Sequence, residues 1–259
     1  MKILIDTDLL TDNVTAYTAS SSDASYPAAN LRDNYPGNVW KAASGTEATI
    51  RLVVSKGSAV AMFNLNATAV AISYGAGEGY IDETGYVPET GYAYITSDQS
   101  ATAISDLPGD NGKLWAEYTE QTLPHIVTIT LTAASAPSAG ILRAGIVKEF
   151  KNPARDSMGE GSVDYSIEAT MPNGANYFRK RDVARTHTGL TMIEERADAF
   201  VFKHDIFDAV GPMPLAIRLA ADSITDDELI VFARRTSPVT IEHITSDLTR
   251  INFALQEAI

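Results

Sequence analysis

Short runs of alternating apolar and polar residues recur along most of the chain, the period-two pattern of strands buried on one face. The most regular is Val163-Asp164-Tyr165-Ser166-Ile167-Glu168-Ala169. It predicts a strand with Val163, Tyr165, Ile167 and Ala169 toward a core and Asp164, Ser166 and Glu168 toward water. By the same rule Ile50, Leu52 and Val54, then Val127, Ile129 and Leu131, then Leu215, Ile217 and Leu219, and finally Ile251, Phe253 and Leu255 form inward faces. Turn residues punctuate the runs: Asn34-Tyr35-Pro36-Gly37, Leu107-Pro108-Gly109-Asp110-Asn111-Gly112 and Pro172-Asn173-Gly174. Many short strands separated this way predict a mainly β chain built from sandwiches or barrels. One segment differs. From about 194 to 210, Ala199, Phe202, Ile206 and Val210 recur at three- and four-residue spacing before Gly211-Pro212, which predicts a single helix with a stop. Thr225-Asp226-Asp227-Glu228 reads either as a capping box or as an acidic turn before a strand over 229–234.

At 259 residues with 45% apolar content, the chain is long enough for two domains, each with its own core. The boundary is placed within 133–145, which opens on the small, uncharged Ala-Ala-Ser-Ala-Pro-Ser-Ala-Gly, giving domains 1–143 and 144–259. The first is expected to be a jelly roll and the second a small β-domain carrying the helix. The 33 acidic and 20 basic side chains leave a formal charge of −13, which argues against a general nucleic-acid binder. With no cysteine, a disulfide scaffold, a thiolate metal site and a cysteine nucleophile are excluded. The opening Met1-Lys2-Ile3-Leu4-Ile5-Asp6 has no signal-peptide core, and the uncharged run 126–142 is too polar to span a bilayer. A protein made in a cytoplasm, without membrane insertion, is the expectation.

Candidate chemistry is sparse. Asp6-Thr7-Asp8 with Asp12-Asn13 resembles the calcium-binding cluster that opens nucleoside hydrolases, but that fold needs alternating strands and helices, which this pattern lacks. There is no Gly-x-Ser-x-Gly elbow, and His125, His187, His204 and His243 show no metal-binding spacing. Gly75-Ala76-Gly77-Glu78-Gly79 lacks the Gly-Lys-Ser/Thr ending of a phosphate loop. Asp106, Asp110 and Asn111 do not have the spacing of an EF-hand loop. The most concentrated positive stretch is Arg179-Lys180-Arg181 with Arg185, beside Tyr177 and Phe178. It reads either as a solvated strand edge or as a contact to an acidic neighbour, such as another copy of the chain. Tyrosines crowd residues 74–94, where Glu83-Thr84-Gly85-Tyr86 recurs as Glu89-Thr90-Gly91-Tyr92. Tyr80, Tyr86 and Tyr92 are therefore candidates for a ligand or contact surface.

Ser25-Tyr26-Pro27-Ala28-Ala29-Asn30-Leu31-Arg32-Asp33, followed by Val39-Trp40-Lys41-Ala42, resembles the opening of galactose-binding-like (discoidin-like) jelly rolls. The resemblance implies that the Asn-Leu-x-Asp turn closes against Trp40, a structural anchor of the core. The order of features from Ile141-Leu142-Arg143-Ala144-Gly145 through Glu149-Phe150-Lys151-Asn152-Pro153, the aromatic-basic segment 177–181, the helix and the strand ending Phe253-Ala254-Leu255-Gln256-Glu257 is similar to tail proteins of long-tailed bacteriophages. That similarity implies a non-enzymatic virion protein of the distal tail or baseplate. It would form a homo-oligomeric ring, with six copies a candidate number, between the tail tube and the terminal hub. Neither catalytic nor metal residues, and no cofactor, are expected. The alternative is a carbohydrate-binding module that recognises a host-surface glycan.

Overall fold

The computed structural model describes residues 1–6, 17–76, 79–82, 85–88, 99–106, 112–122, 125–154, 158–170, 176–179, 183–219 and 229–258. Among the described residues the protein is mainly β with antiparallel pairing, one longer helix and a 3₁₀ turn at Ala28–Arg32. It divides into two compact units. One comprises Lys2–Glu149 and Ala216–Ile230; the other comprises Met1, Phe150–Leu215 and Val231–Ile259.

The first unit holds β1 (Lys2–Asp6), β2 (Tyr17–Ala19), β3 (Trp40–Lys41), β4 (Glu47–Val54), β5 (Gly57–Leu65), β6 (Ala69–Ala76), β7 (Gly79–Asp82), β8 (Gly85–Pro88), β9 (Gln99–Ser100), β10 (Thr102–Asp106), β11 (Gly112–Gln121), β12 (His125–Thr132), β13 (Ser138–Ala139) and β14 (Ile141–Glu149), with β19 (Leu215–Arg218) added to β1. One sheet runs β10-β11-β5-β14-β1-β19 and the other β2-β4-β12-β6-β9. The long strands β4, β5, β6, β11, β12 and β14 alternate between the two sheets, a connectivity of jelly-roll type. Their inward residues fuse into one core: Ile50, Leu52 and Val54 from β4 and Val127, Ile129 and Leu131 from β12 meet Val60 and Met62 from β5, Leu114 from β11 and Leu142 from β14. Each such side chain stabilises the fold by about 1.5–3 kcal/mol relative to leaving it in water. The alternation read in β4 and β12 is the alternation found.

The stretch 133–145 includes β13 and the first half of β14, and Gly140 between them has no room for a side chain. A Cβ on Gly140 would lie 2.3 Å from the Pro36 carbonyl oxygen and 2.9 Å from Asn64 Cβ. The division of the chain therefore falls at Glu149/Phe150, and Ala216–Ile230 returns to the first unit. β19 also departs from simple alternation, since Ala216 and Arg218 are buried along with Leu215 and Ile217.

The second unit holds β15 (Gly159–Asp164), β16 (Ile167–Thr170), β17 (Asn176–Arg179), β18 (Val183–Glu195), β20 (Ile230–Arg235), β21 (Thr240–His243) and β22 (Leu248–Glu257). The sheet order is β20-β22-β18-β15, with β21 also on β22. The helix begins at Arg196, and Ala199, Phe202, Ile206 and Val210 are all buried, as their spacing predicts. Its middle, Val201–Asp208, winds as a π-helix. The five-residue hydrogen-bond step of that winding brings Phe207 beneath Phe202, ring centroids 4.8 Å apart, and Phe202 then packs on Phe253 of β22 at 5.2 Å and on Phe150 at 5.1 Å. Gly211, at φ 67°, turns the chain out of the helix where a side-chain-bearing residue would be strained.

Candidate interaction surface

β15 pairs with β18 from Gly159↔Thr188 to Asp164↔Val183, and β16 pairs with β17 from Ile167↔Arg179 to Thr170↔Asn176. In the chain β16 and β17 fall between β15 and β18, and the two pairs differ in support. β18 is backed by β22, whereas β16 and β17 form a two-stranded sheet with no third strand among the described residues. Successive strand residues point to opposite faces, and Tyr177, Phe178 and Arg179 are all exposed, so both faces of this ribbon meet solvent. Tyr177 is 44% and Phe178 65% accessible. Nearby in the chain, Val163 and Tyr165 are each 38% accessible and Val183 is 46%. Of ten large apolar side chains exposed among the described residues, these five lie between 163 and 183.

The alternation read over 163–169 is overturned at Val163 and Tyr165, while the side chains of Ile167 and Ala169 lie outside those described. Val163 and Tyr165 do not face a core, because β15 ends the sheet order and every one of its residues is exposed. The Tyr165 hydroxyl instead accepts a hydrogen bond from Gln256 Nε2. Arg185 is exposed on β18 opposite Ser162. Lys180 and Arg181 lie outside the described residues.

The other predicted positions sort differently. Trp40 is buried as an anchor, its indole Nε1 donating to Ser22 Oγ at 2.9 Å. The turn before it does close on its strand, with Asn30 Nδ2 donating to the Val39 carbonyl at 2.8 Å. Sequence reasoning missed what holds that turn, the buried guanidinium of Arg143. It donates to the carbonyls of Leu31 (3.4 Å), Arg32 (3.3 Å), Asp33 (2.9 Å) and Leu142 (3.0 Å) and to Asn34 Oδ1 (2.8 Å). An arginine beside apolar neighbours gives no local sign of that role. Tyr80 and Tyr86 lie on the backbone hairpin β7–β8, with Ile81 opposite Tyr86, and Tyr92 falls outside the described residues. Tyr74, from the same tyrosine-rich segment, is buried and stacks on Tyr118 with centroids 4.7 Å apart, so it offers no exposed platform. Asp8, Asp12, Asn13, Gly77, Glu78, Asp110, Asn111 and 225–228 also lie outside the described residues.

Three titratable groups among the described residues are held away from their ordinary range. Tyr118 hydroxyl and His125 Nε2 are 2.9 Å apart in the core of the first unit, and burial, with Tyr74 adding to it, pushes the phenol above the ordinary tyrosine range. Glu194, on β18, accepts from the Lys151 backbone N–H; burial raises its pKa against that bond. On the exposed side of the helix, Lys203 Nζ (3.3 Å), His204 Nδ1 (3.0 Å) and Arg235 Nη1 (3.2 Å) surround the Asp208 carboxylate. Partial desolvation would raise Asp208, but the bonds from Lys203, Arg235 and His204 outweigh it and hold the group below the usual carboxylate range. No group of three or more His, Asp or Glu side chains placed for a metal occurs among the described residues, and no helix among them is long and apolar enough to cross a membrane.

No protein-family model and no curated protein sequence matches the chain. Among solved structures, the chain is similar to a chain of the Streptococcus pneumoniae beta-galactosidase BgaA, at 10% identity and TM-score 0.39, over 53% of this chain and 99% of that one. It is similar to chitosan-binding module 1 of a chitosanase/glucanase from Paenibacillus sp. IK-5, at 18% identity and TM-score 0.34, over 50% of this chain and 93% of that one. A third match is CpGH89CBM32-6 produced by Clostridium perfringens, at 14% identity and TM-score 0.32, over 52% of this chain and 96% of that one.

Proposed function

We propose that the protein is a non-catalytic structural component that works by protein–protein contact, assembling with copies of itself into a ring at the tail tip of a long-tailed phage, between tail tube and hub. The observation that supports this reading best is that Val163, Tyr165, Tyr177, Phe178 and Val183 are exposed on or next to β15, β17 and β18, the strands that also carry the exposed Arg179 and Arg185. Aromatic residues and arginine are the side chains enriched where proteins bind one another. The order of sequence features from Ile141 to Glu257 supplies the tail-protein part of the reading. Such a protein would be made in the host cytoplasm and end in the virion.

The test is the mass of the purified protein in solution at several concentrations, with electron micrographs of the same samples. Closed rings are expected. A monomer at every concentration that binds an immobilised glycan saturably, and loses that binding on Tyr86→Ala, would replace this reading with glycan recognition by the first unit.

A further inference from the structure

Sheet register puts a titratable ring where a strand meets the end of its sheet. His187, on β18, lies directly opposite Glu160 of β15 on one side and Leu255 of β22 on the other. It is fully buried, and so are Leu255 and Leu190. His187 and Leu190 are three residues apart, an odd separation that would put them on opposite faces of a regular strand. A β-bulge removes the conflict: between the pairs His187↔Leu255 and Leu190↔Phe253, Thr188 and Gly189 on β18 oppose Ala254 alone on β22. Gly189, at φ 68°, supplies the left-handed backbone that this bulge needs. The imidazole is thereby held inward beside β15, whose six residues are all exposed and which pairs only with β18 among the described residues.

The charges that face this ring nearly cancel. Glu160 Oε1 is 3.8 Å from Nδ1, beyond hydrogen-bond reach, and its side chain is 60% exposed. Arg185, two residues away on β18, and Glu257, two residues beyond Leu255 on β22, share the face by strand alternation. Arg235 of β20 is opposite Leu255, with its guanidinium on Asp208 of the helix, a carboxylate that Lys203 and His204 also hold. Burial therefore decides the protonation state of His187. An imidazolium would lose its hydration there, and a carboxylate standing mostly in water returns little of that loss.

We infer that His187 is an acid-sensitive latch: as the neutral imidazole it packs β15 onto β18, and its protonation in mild acid releases β15 from the sheet. With β15 in place the ring takes a proton less readily than it does once β15 is detached and water reaches it. The pairing is then fully stable above the ordinary histidine value of about 6.5 and weakens as pH falls below it, through the depressed value of the closed state. Release uncovers the backbone edge of β18 along 183–188. The latch acts within one chain and does not depend on how copies assemble.

In the full chain labelled at histidine ¹³Cε1, the variants His125→Gln, His204→Gln and His243→Gln assign the His187 resonance by elimination. Its titration midpoint is expected about one unit or more below 6.5. Amide exchange over 159–164, read by mass spectrometry and corrected for the intrinsic pH dependence of exchange, should rise about fivefold or more from about pH 7.5 to about pH 5. Glu160→Gln removes the nearby carboxylate, so it should lower the midpoint further and enlarge that rise, and His187→Leu should abolish the rise. A midpoint at or above 6.5, or equal corrected exchange over 159–164 at both pH values, would overturn the latch whether or not His187→Leu folds. A rise that persists in a folded His187→Leu chain would overturn it as well, by assigning the acid opening to another group.

Discussion

Arg143 shows how much one buried charge can organise. Its guanidinium closes the turn Ala28–Arg32 and the residue just after it onto β14 by bonding the carbonyls of Leu31, Arg32 and Asp33. Hydrogen bonds to a charged group contribute about 1.5–3 kcal/mol each when one partner is removed, though not additively. Arg143→Met should cost about 3 kcal/mol in urea unfolding of the full chain. Arg143→Lys should recover little of this, because an ammonium cannot reproduce the planar fork. Glu194 gives a pH signature of the opposite kind to the usual paired carboxylate. Burial raises its folded-state pKa, so the folded chain holds the proton more tightly than the unfolded one. Its contribution to stability is then greatest below the ordinary glutamate value and declines as pH rises from there through the raised folded value. Glu194→Gln, which keeps an acceptor for the Lys151 N–H, should flatten that part of the stability–pH curve measured by denaturant titration. A curve unchanged by the substitution would show that burial is not what shifts this group.

The helix is the element with the sharpest packing requirement. Its π turns put Phe202 and Phe207 on one face at five-residue spacing, and Phe150 and Phe253 close the cluster around them. Phe202→Ala removes a fully buried ring that the neighbouring rings cannot collapse to replace. The expected loss is about 3–5 kcal/mol, read as a lower denaturant midpoint and as loss of amide-exchange protection over 199–207. Phe207 escaped the periodicity argument for a definite reason: three- and four-residue spacing identifies an α-helical face and does not register a residue five along. At β13–β14 the decisive contact is backbone to side chain. Gly140→Ala would press a methyl group against the Pro36 carbonyl, a backbone atom with little room to yield. Overpacking of this sort costs about 1–3 kcal/mol, measurable as a lowered melting temperature.

Across the whole molecule the formal charge is −13, and the most concentrated positive stretch is Arg179-Lys180-Arg181 with Arg185. If assembly runs through it, light scattering should show mass falling toward the monomer as salt rises from 0.1 to 1 M, where the screening length drops from about 10 to about 3 Å. Reversing Arg179 and Arg181 to Glu should give the monomer at low salt as well. The β class, the helix with its stop at Gly211, and the inward faces of β4, β12 and β22 were all legible along the chain, because each depends on side chains only a few residues apart and on a local period. Val163 and Tyr165 mark the limit of that logic. Alternation states that two faces differ, but whether the apolar face is covered depends on what packs there, and β15 came to lie at the end of its sheet order. The same limit applies to Arg143, whose carbonyl partners lie about 110 residues away in sequence, and to Ala216–Ile230, which packs with Lys2–Glu149. Period and propensity act over one or two turns of chain, whereas burial, long-range hydrogen bonds and the assignment of a strand to an edge or a centre are settled only when distant segments meet.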